Sequence, residues 1–256
     1  MSKVVMIGSG NVATVLGIRI AMAGHEIMQV FSRKREHAAL LAEELHCPYS
    51  TYWTQITREA DMYLVALSDS ALLSLGDNLS LPGKLVMHTA GAVSKEVLLP
   101  VSKNSGVLYP LQSLRKEVRP FPPIPLLVDA NTPVDQGRIA DFARSISGQV
   151  QEADDITRLK LHLGGVLVNN FTNHLYTLAE EYCRQEKIDF TLLLPIIQET
   201  AGRLAHFLPR DTQTGPAIRG DRPTIEKHLQ LLHNYANIKE LYELFTHQIQ
   251  QYRTGI

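Results

Sequence analysis

Three groups of residues in this chain have the types and spacing to do chemistry. The first is Gly8-Ser9-Gly10-Asn11-Val12-Ala13, a G-x-G-x-x-A run directly after the apolar residues 4–7. In such a run the first glycine permits a tight turn and the second lets a pyrophosphate approach the backbone. The small third residue lets a helix pack closely on the strand, and that helix presents its first N–H groups to an anion. The second group is Ser32-Arg33-Lys34-Arg35. A carboxylate usually stands here when a ribose 2′-OH is gripped. A hydroxyl and three cations suit a 2′-phosphate instead, because guanidinium forks pair with phosphate oxygens and a carboxylate would repel them. Gly8, Ser9, Gly10, Asn11, Val12, Ser32, Arg33 and Arg35 are therefore expected to hold NADP. A solvated, basic first helical turn is the plainer alternative for 33–35.

The third group could handle protons and orient a substrate. His88 closes an apolar run and leads into Thr89-Ala90-Gly91; an imidazole there could protonate a carbonyl or imine as hydride arrives, or simply bond to nearby backbone. Leu67, Ser68 and Asp69 end another apolar run, and with Thr89 they are expected beside the cofactor; Ser68 and Asp69 could equally cap a helix. Farther on, His162, Asn169, Asn170, Asn173 and His174 interrupt a long apolar register. Steps of four or eight put His162, Asn170 and His174 on one helical face, and buried polar groups need partners or a ligand. The expected catalytic set is thus His88, His162, Asn170 and His174, with Asn173 toward the substrate. Thr214 and Arg219, in a segment rich in breakers, could grip a carboxylate or phosphate. An ion pair of Arg219 with Asp221 is the alternative.

Alternating strands and helices must position these groups. Apolar segments near 4–7 (rich in β-branched residues), 26–31, 62–67, 84–88, 106–109 and 125–128 read as strands, with a last one near 148–150. Helical spacing fills 11–23, a helix running to about 45, and 133–146. This pattern predicts a parallel, doubly wound sheet with ligands outside the carboxyl ends of its strands. From residue 154 no strand pattern remains. A helix of some thirty residues from 156 to about 187 precedes helices near 190–207, 224–233 and 235–252. The expected division is a nucleotide-binding domain at 1–153 and an all-helical domain at 154–256, with a substrate cleft between them.

Composition narrows the class. The chain has 256 residues, 45% of them hydrophobic, and a net charge of −1, so it can bury a substantial core. Beyond 33–35 it has no basic tract for nucleic acid or a membrane surface. Cys47 and Cys183 fit no metal or redox spacing, as expected in a reducing cytoplasm. Gly8, Gly10, Asn11 and Arg19 break the N-terminal apolar stretch, which reads as strand, turn and helix and not as a secretion signal. H-E-x-x-H and G-x-S-x-G are both absent, which argues against those metalloprotease and hydrolase classes.

A Rossmann half, a late strand near 150 and a long helix opening an all-helical half resemble the 6-phosphogluconate dehydrogenase-like superfamily. That group includes β-hydroxyacid dehydrogenases, pyrroline-5-carboxylate reductase and ketopantoate reductase. More closely, GSGNVA, HTAGA, YPLQS, VNNFTNHL and TGPAIRGD are similar, over nearly the whole chain, to a bacterial family of Rossmann-like oxidoreductases. That family is described as similar to deazaflavin-dependent NADP oxidoreductases. The resemblance implies hydride transfer between NADP and a small carbonyl, imine or hydroxy acid, and a homodimer formed through the long helix. It also sets a departure. If Asn170 holds the place of the asparagine in β-hydroxyacid dehydrogenases, Val166 stands where they carry a lysine. Either a histidine substitutes, or the protein binds NADP(H) as a sensor or scaffold without turnover; a deazaflavin as hydride partner is the other alternative.

Overall fold

The structure is a computed structural model that describes residues 1–254. It divides into two compact units, Met1–Phe171 and the chain from Thr172 onward.

In the first unit the elements run β1 (Lys3–Ile7), α1 (Asn11–Met22), β2 (Glu26–Phe31), α2 (Arg35–Glu44), β3 (Tyr49–Ser50), β4 (Met62–Val65), α3 (Asp69–Leu73) and β5 (Leu85–His88). There follow β6 (Ser105–Pro110), β7 (Leu126–Ala130), α4 (Pro133–Ile146), β8 (Val150–Glu152) and α5 (Asp155–Gly165). The strands form one sheet in the order β3-β2-β1-β4-β5-β6-β7-β8. Its order reverses between β1 and β4, the kind of place where open α/β sheets bind ligands. Strand alternation divides the core. Val4 and Met6 join Leu16, Leu64, Met87, Leu126 and Phe142 on the face covered by α1 and α4. Val5 and Ile7 join Phe31, Tyr63, Leu72 and Leu98 on the other.

The sheet departs from the expected all-parallel arrangement at one step. β7 pairs with β6 antiparallel, Tyr109 opposite Leu127 and Pro110 opposite Leu126. Parallel pairing needs a crossover, usually a helix, and residues 111–125 form none. Pro120, Pro122, Pro123 and Pro125 deny that segment the N–H groups a helix requires. Leu111 N–H donates to Pro125 O at 2.9 Å and closes the mouth of the connection. Beyond β7 the chain resumes a parallel crossover through α4, whose first turn is capped by Thr132 accepting from Asp135 N.

α5 starts with Asp154 accepting from Thr157 N at 2.7 Å. It then passes into a π-helical stretch, Val166–Phe171, where the expected helix is not a regular α-helix. In the second unit the chain continues as α6 (Thr172–Gln185), α7 (Leu194–Gly202), α8 (Pro216–Arg219), α9 (Arg222–Leu231) and α10 (Ala236–Thr254). The breaker-rich segment around 214–221 holds a single helical turn after all, opened by Pro216, whose fixed φ suits a first helical position. Among the described residues no helix is long and apolar enough to cross a membrane.

Candidate functional site

Where β1, β2 and β4 end, a cavity of about 630 Å³ opens, lined by Gly8, Ser9, Gly10, Phe31, Ser32, Arg33, Lys34, His37, Trp53 and Leu67 among others. Gly8 has φ +125°, and a Cβ on it would stand 2.2 Å from Ala66 O, so only glycine lets β1 turn under the end of β4. Gly10 has no atom within 4 Å of a would-be Cβ, and no side chain caps the helix it introduces. The first-turn N–H groups of α1, which lack intrahelical partners, remain available to an anion. Ser9 Oγ donates to Ser32 Oγ at 2.7 Å, tying the turn to the end of β2. The cavity wall carries Arg33, Lys34 and His37 and no carboxylate. These residues fit a dinucleotide with a 2′-phosphate: room and N–H donors for a pyrophosphate, then cations with no opposing anion.

Most of the other expected cofactor residues lie off the lining of this cavity. Asn11 Oδ1 accepts from Lys116 N at 3.4 Å, and Val12 packs against the core. Arg35 turns its Nε to Tyr49 Oη at 3.4 Å, a contact that, more than any other influence, raises its pKa. Ser68 lines the cavity, whereas Asp69 is the first residue of α3. Thr89 is buried, with its N–H donating to Val65 O at 3.1 Å.

β6 outruns β5, since His88, the last residue of β5, pairs with Val107. Past that point a second cavity of about 590 Å³ is lined by Tyr109, Leu111, Gln112, Ser113, His162, Val166, Asn169 and Asn170 among others. Tyr109 Oη and His162 Nδ1 are 3.0 Å apart. Burial pushes the Tyr109 hydroxyl above its usual range, against the opposing charge of Arg158. Gly91 lies beneath this pair. A Cβ there would come within 2.7 Å of His162 Nδ1 and 3.0 Å of Tyr109 Cζ. A π-helix takes more residues per turn than an α-helix, so the stretch after Gly165 re-phases the chain and both Asn169 and Asn170 reach the cavity of His162.

The structure does not bring His88 to either lining. Its side chain is fully buried, and Nδ1 accepts from Ala90 N at 3.1 Å, which leaves the proton of the neutral ring on Nε2. Burial, reinforced by the nearby Arg158 charge, lowers its pKa to about 4. Arg158 is itself buried, its Nη2 donating to Val93 O and to Asp155 Oδ1, both at 2.6 Å. Asp155 also accepts from Ser94 Oγ and Lys95 N. Burial alone would raise its pKa, but these bonds hold it below the ordinary carboxylate value. The first turn of α5 is in this way laced to residues 93–95 and fixes the loop that carries Gly91.

Asn173, His174, Thr214 and Arg219 belong to the second unit. There Thr214 and Arg219 are exposed, and Asp221 is occupied in capping α9, accepting from Thr224 N and Oγ1. Sequence reasoning passed over Tyr109, Gln112 and Ser113 as site residues, although they stand in the YPLQS segment at the end of a strand. Their place at a strand's carboxyl end was the available signal. His37 and Trp53 on the first cavity were also missed, whereas Lys34 is one of the three cations read as suited to a 2′-phosphate.

Residues 3–91 match the family described as "NADP oxidoreductase coenzyme F420-dependent", and residues 124–249 match a domain of unknown function (DUF2520). A crystal structure from Bacteroides fragilis, described as a "putative NADP oxidoreductase", aligns with TM-score 0.90 at 36% identity, covering 98% of each chain. A reductive aminase from Aspergillus terreus, solved with NADPH and ethyl-5-oxohexanoate, aligns with TM-score 0.67 at 15% identity over 97% of this chain and 94% of its own. A 1-pyrroline-5-carboxylate reductase from Streptococcus pyogenes aligns with TM-score 0.60 at 14% identity over 98% of both chains. The last two likenesses are of fold alone. Among curated proteins none matches. Fold and first cavity define a Rossmann-type, NADP-dependent oxidoreductase class. Within it, this chain belongs to the NADP oxidoreductase family that the Bacteroides structure represents.

Proposed function

We propose that the chain reduces a C=O or C=N group of a small molecule with NADPH, and that Tyr109 and His162 handle the proton. The observation that carries this reading is the Tyr109–His162 pair on a cavity at the same sheet edge as the carboxylate-free, cationic one. Only β5 separates β4 from β6, so roughly 10 Å of sheet width lies between the two strand ends, a span that suits one extended dinucleotide. When bound, NADPH supplies a hydride to the carbon of the C=O or C=N group, whose π pair passes to the heteroatom and takes up a proton, leaving NADP+. Ser32, Arg33 and Lys34 hold the 2′-phosphate, and the N-terminus of α1 faces the pyrophosphate. Tyr109 keeps its hydroxyl proton at neutral pH because burial disfavours the phenolate. His162, in the tautomer that carries its proton on Nδ1, donates to Tyr109 Oη and offsets the charge that develops when the hydroxyl proton leaves. Asn169 and Asn170 orient the substrate. His88, closed off by its neighbours, supports the loop beneath the pair.

Self-association is part of the same proposal. Ile156, Leu159 and Leu163 form one stripe on α5 at 60%, 46% and 58% exposure, and a second copy would cover it. The free thiols of Cys47 and Cys183 suit a reducing cytoplasm.

A second reading, binding without turnover, is favoured by Val166, an aliphatic side chain on the cavity wall: with Asn170 matched to the asparagine of β-hydroxyacid dehydrogenases, the resemblance puts their lysine at this position. One experiment separates the two: NADPH oxidation across neutral and acidic carbonyls, cyclic imines and a deazaflavin, with NADPH affinity measured alongside. Tyr109→Phe and His162→Ala should each lower kcat by about 10²–10⁴-fold, the usual weight of general acid catalysis, while NADPH affinity holds. Unchanged kcat in both variants refutes the assignment. Tight NADPH binding with no acceptor of any class supports the sensor.

A further inference from the structure

We infer that the substrate carries no charge at the group this protein holds: a ketone or cyclic imine with amide, ester or hydroxyl polarity, not a carboxylate. The inference rests on the reading of the β6 cavity as the substrate site and narrows it. That cavity is lined by amides, hydroxyls, one imidazole and aliphatic side chains, with no Asp, Glu, Lys or Arg among them. Val166 and Leu111 make an apolar wall, and the polar atoms come from Asn169, Asn170, Ser113 and the Tyr109–His162 pair. Gln112 is already committed, its Nε2 donating to Pro123 O and its Oε1 accepting from Ser113 N.

A carboxylate brought to such a wall gives up its hydration without gaining a cation, and buried charges without partners are the costliest groups to desolvate. Neutral acceptors and donors lose much less and find amide and hydroxyl partners. Arg158, whose charge acts on Tyr109, does not change this. It is 1% exposed, absent from the lining, and already paired with Asp155 at 2.6 Å. At about 590 Å³ the space also exceeds what a two- or three-carbon acid fills, and lies within the ordinary range for drug-sized ligands.

The test uses matched pairs of 2-oxo acids and their primary amides, and cyclic imines with and without a ring carboxylate, assayed by NADPH oxidation on the full-length protein. NADPH affinity is measured first on the same preparation. Neutral members should exceed their acid partners in kcat/KM by at least 100-fold. Val166→Lys, which adds a cation to the wall, should narrow that gap at least tenfold. Where turnover is too slow to read, the melting temperature of the NADPH complex takes its place, rising with neutral members and not with acids. Acids that equal or beat their neutral partners, by either readout, overturn this inference while the oxidoreductase reading stands. Failure of both series to oxidise NADPH or to shift the complex overturns it as well. Absence of NADPH binding would sink the underlying reading instead.

Discussion

Lowering the pH from 7.5 to 5 should destabilise the protein by about 2 kcal/mol through His88 alone. Its pKa in the folded chain is about 4 against an ordinary 6.5, chiefly because the ring is buried and secondarily because Arg158 stands nearby. Between those two values the unfolded chain holds a proton that the folded chain refuses, so stability falls as pH drops through 6.5 and levels off near 4. Each unit inside that window weighs about 1.4 kcal/mol, and one and a half units lie between 6.5 and pH 5. The aspartates with lowered values (Asp154, Asp155, Asp189 and Asp221) lose their contributions only as pH falls below 3.8, outside the window. His25 is also lowered, first by burial, but it is common to both proteins being compared. The comparison is with His88→Asn, whose amide oxygen can still accept from Ala90 N. Urea unfolding at pH 7.5, 6.5, 5.5 and 5 gives the slope of stability against pH for each. The variant should have the flatter slope whatever its absolute stability. Equal slopes would mean that His88 is not held neutral by its surroundings, and the account of the loop beneath Tyr109 and His162 would fail with it.

Three further outcomes are expected. Arg33→Ala should weaken NADPH by about 1.5–3 kcal/mol, the range for hydrogen bonds to charged groups, and leave NADH nearly unchanged; equal losses for both cofactors in a fluorescence titration would count against the 2′-phosphate assignment. Gly91→Ala forces a methyl to within 2.7 Å of His162 Nδ1 and should lower kcat at least tenfold with NADPH affinity retained. Light scattering at micromolar concentration should report a dimer, and Leu163→Glu should shift it toward monomer; a wild-type monomer would contradict the role given to the stripe on α5.

Much of the first unit could be read from local pattern, because each signal there is local. Residues 4–13 and 26–33 carry strand, turn and helix within a few positions, and the glycine at 8 is demanded by a contact that the motif itself implies. Three features escaped. The reversal at β7 depends on what residues 111–125 fail to form, and strand periodicity has no sign for direction. The π stretch depends on how Val166–Phe171 is held, whereas the spacing rule assumes 3.6 residues per turn throughout; that rule puts Asn170 with His162 and leaves Asn169 off the shared face. His88 is buried and feels the charges of groups distant in sequence, Arg158 and Asp155, so a strand-end histidine and a core histidine look alike until the fold closes.

The antiparallel return of β7 bears on how such a protein could change its specificity. The wall of the β6 cavity that holds Leu111, Gln112 and Ser113 belongs to a connection whose two ends are clamped together by Leu111 N–H and Pro125 O. Residues inserted between those ends leave every strand register untouched, and doubling the length of such a connection costs only about 0.6 kcal/mol in closure entropy. The proposed catalytic pair is anchored elsewhere, Tyr109 in the sheet and His162 on α5. Evolution can therefore resize this wall, the proposed substrate wall, by lengthening or trimming one surface connection while Tyr109 and His162 stay fixed. Relatives with different substrates should differ most in length and sequence between these two clamped residues.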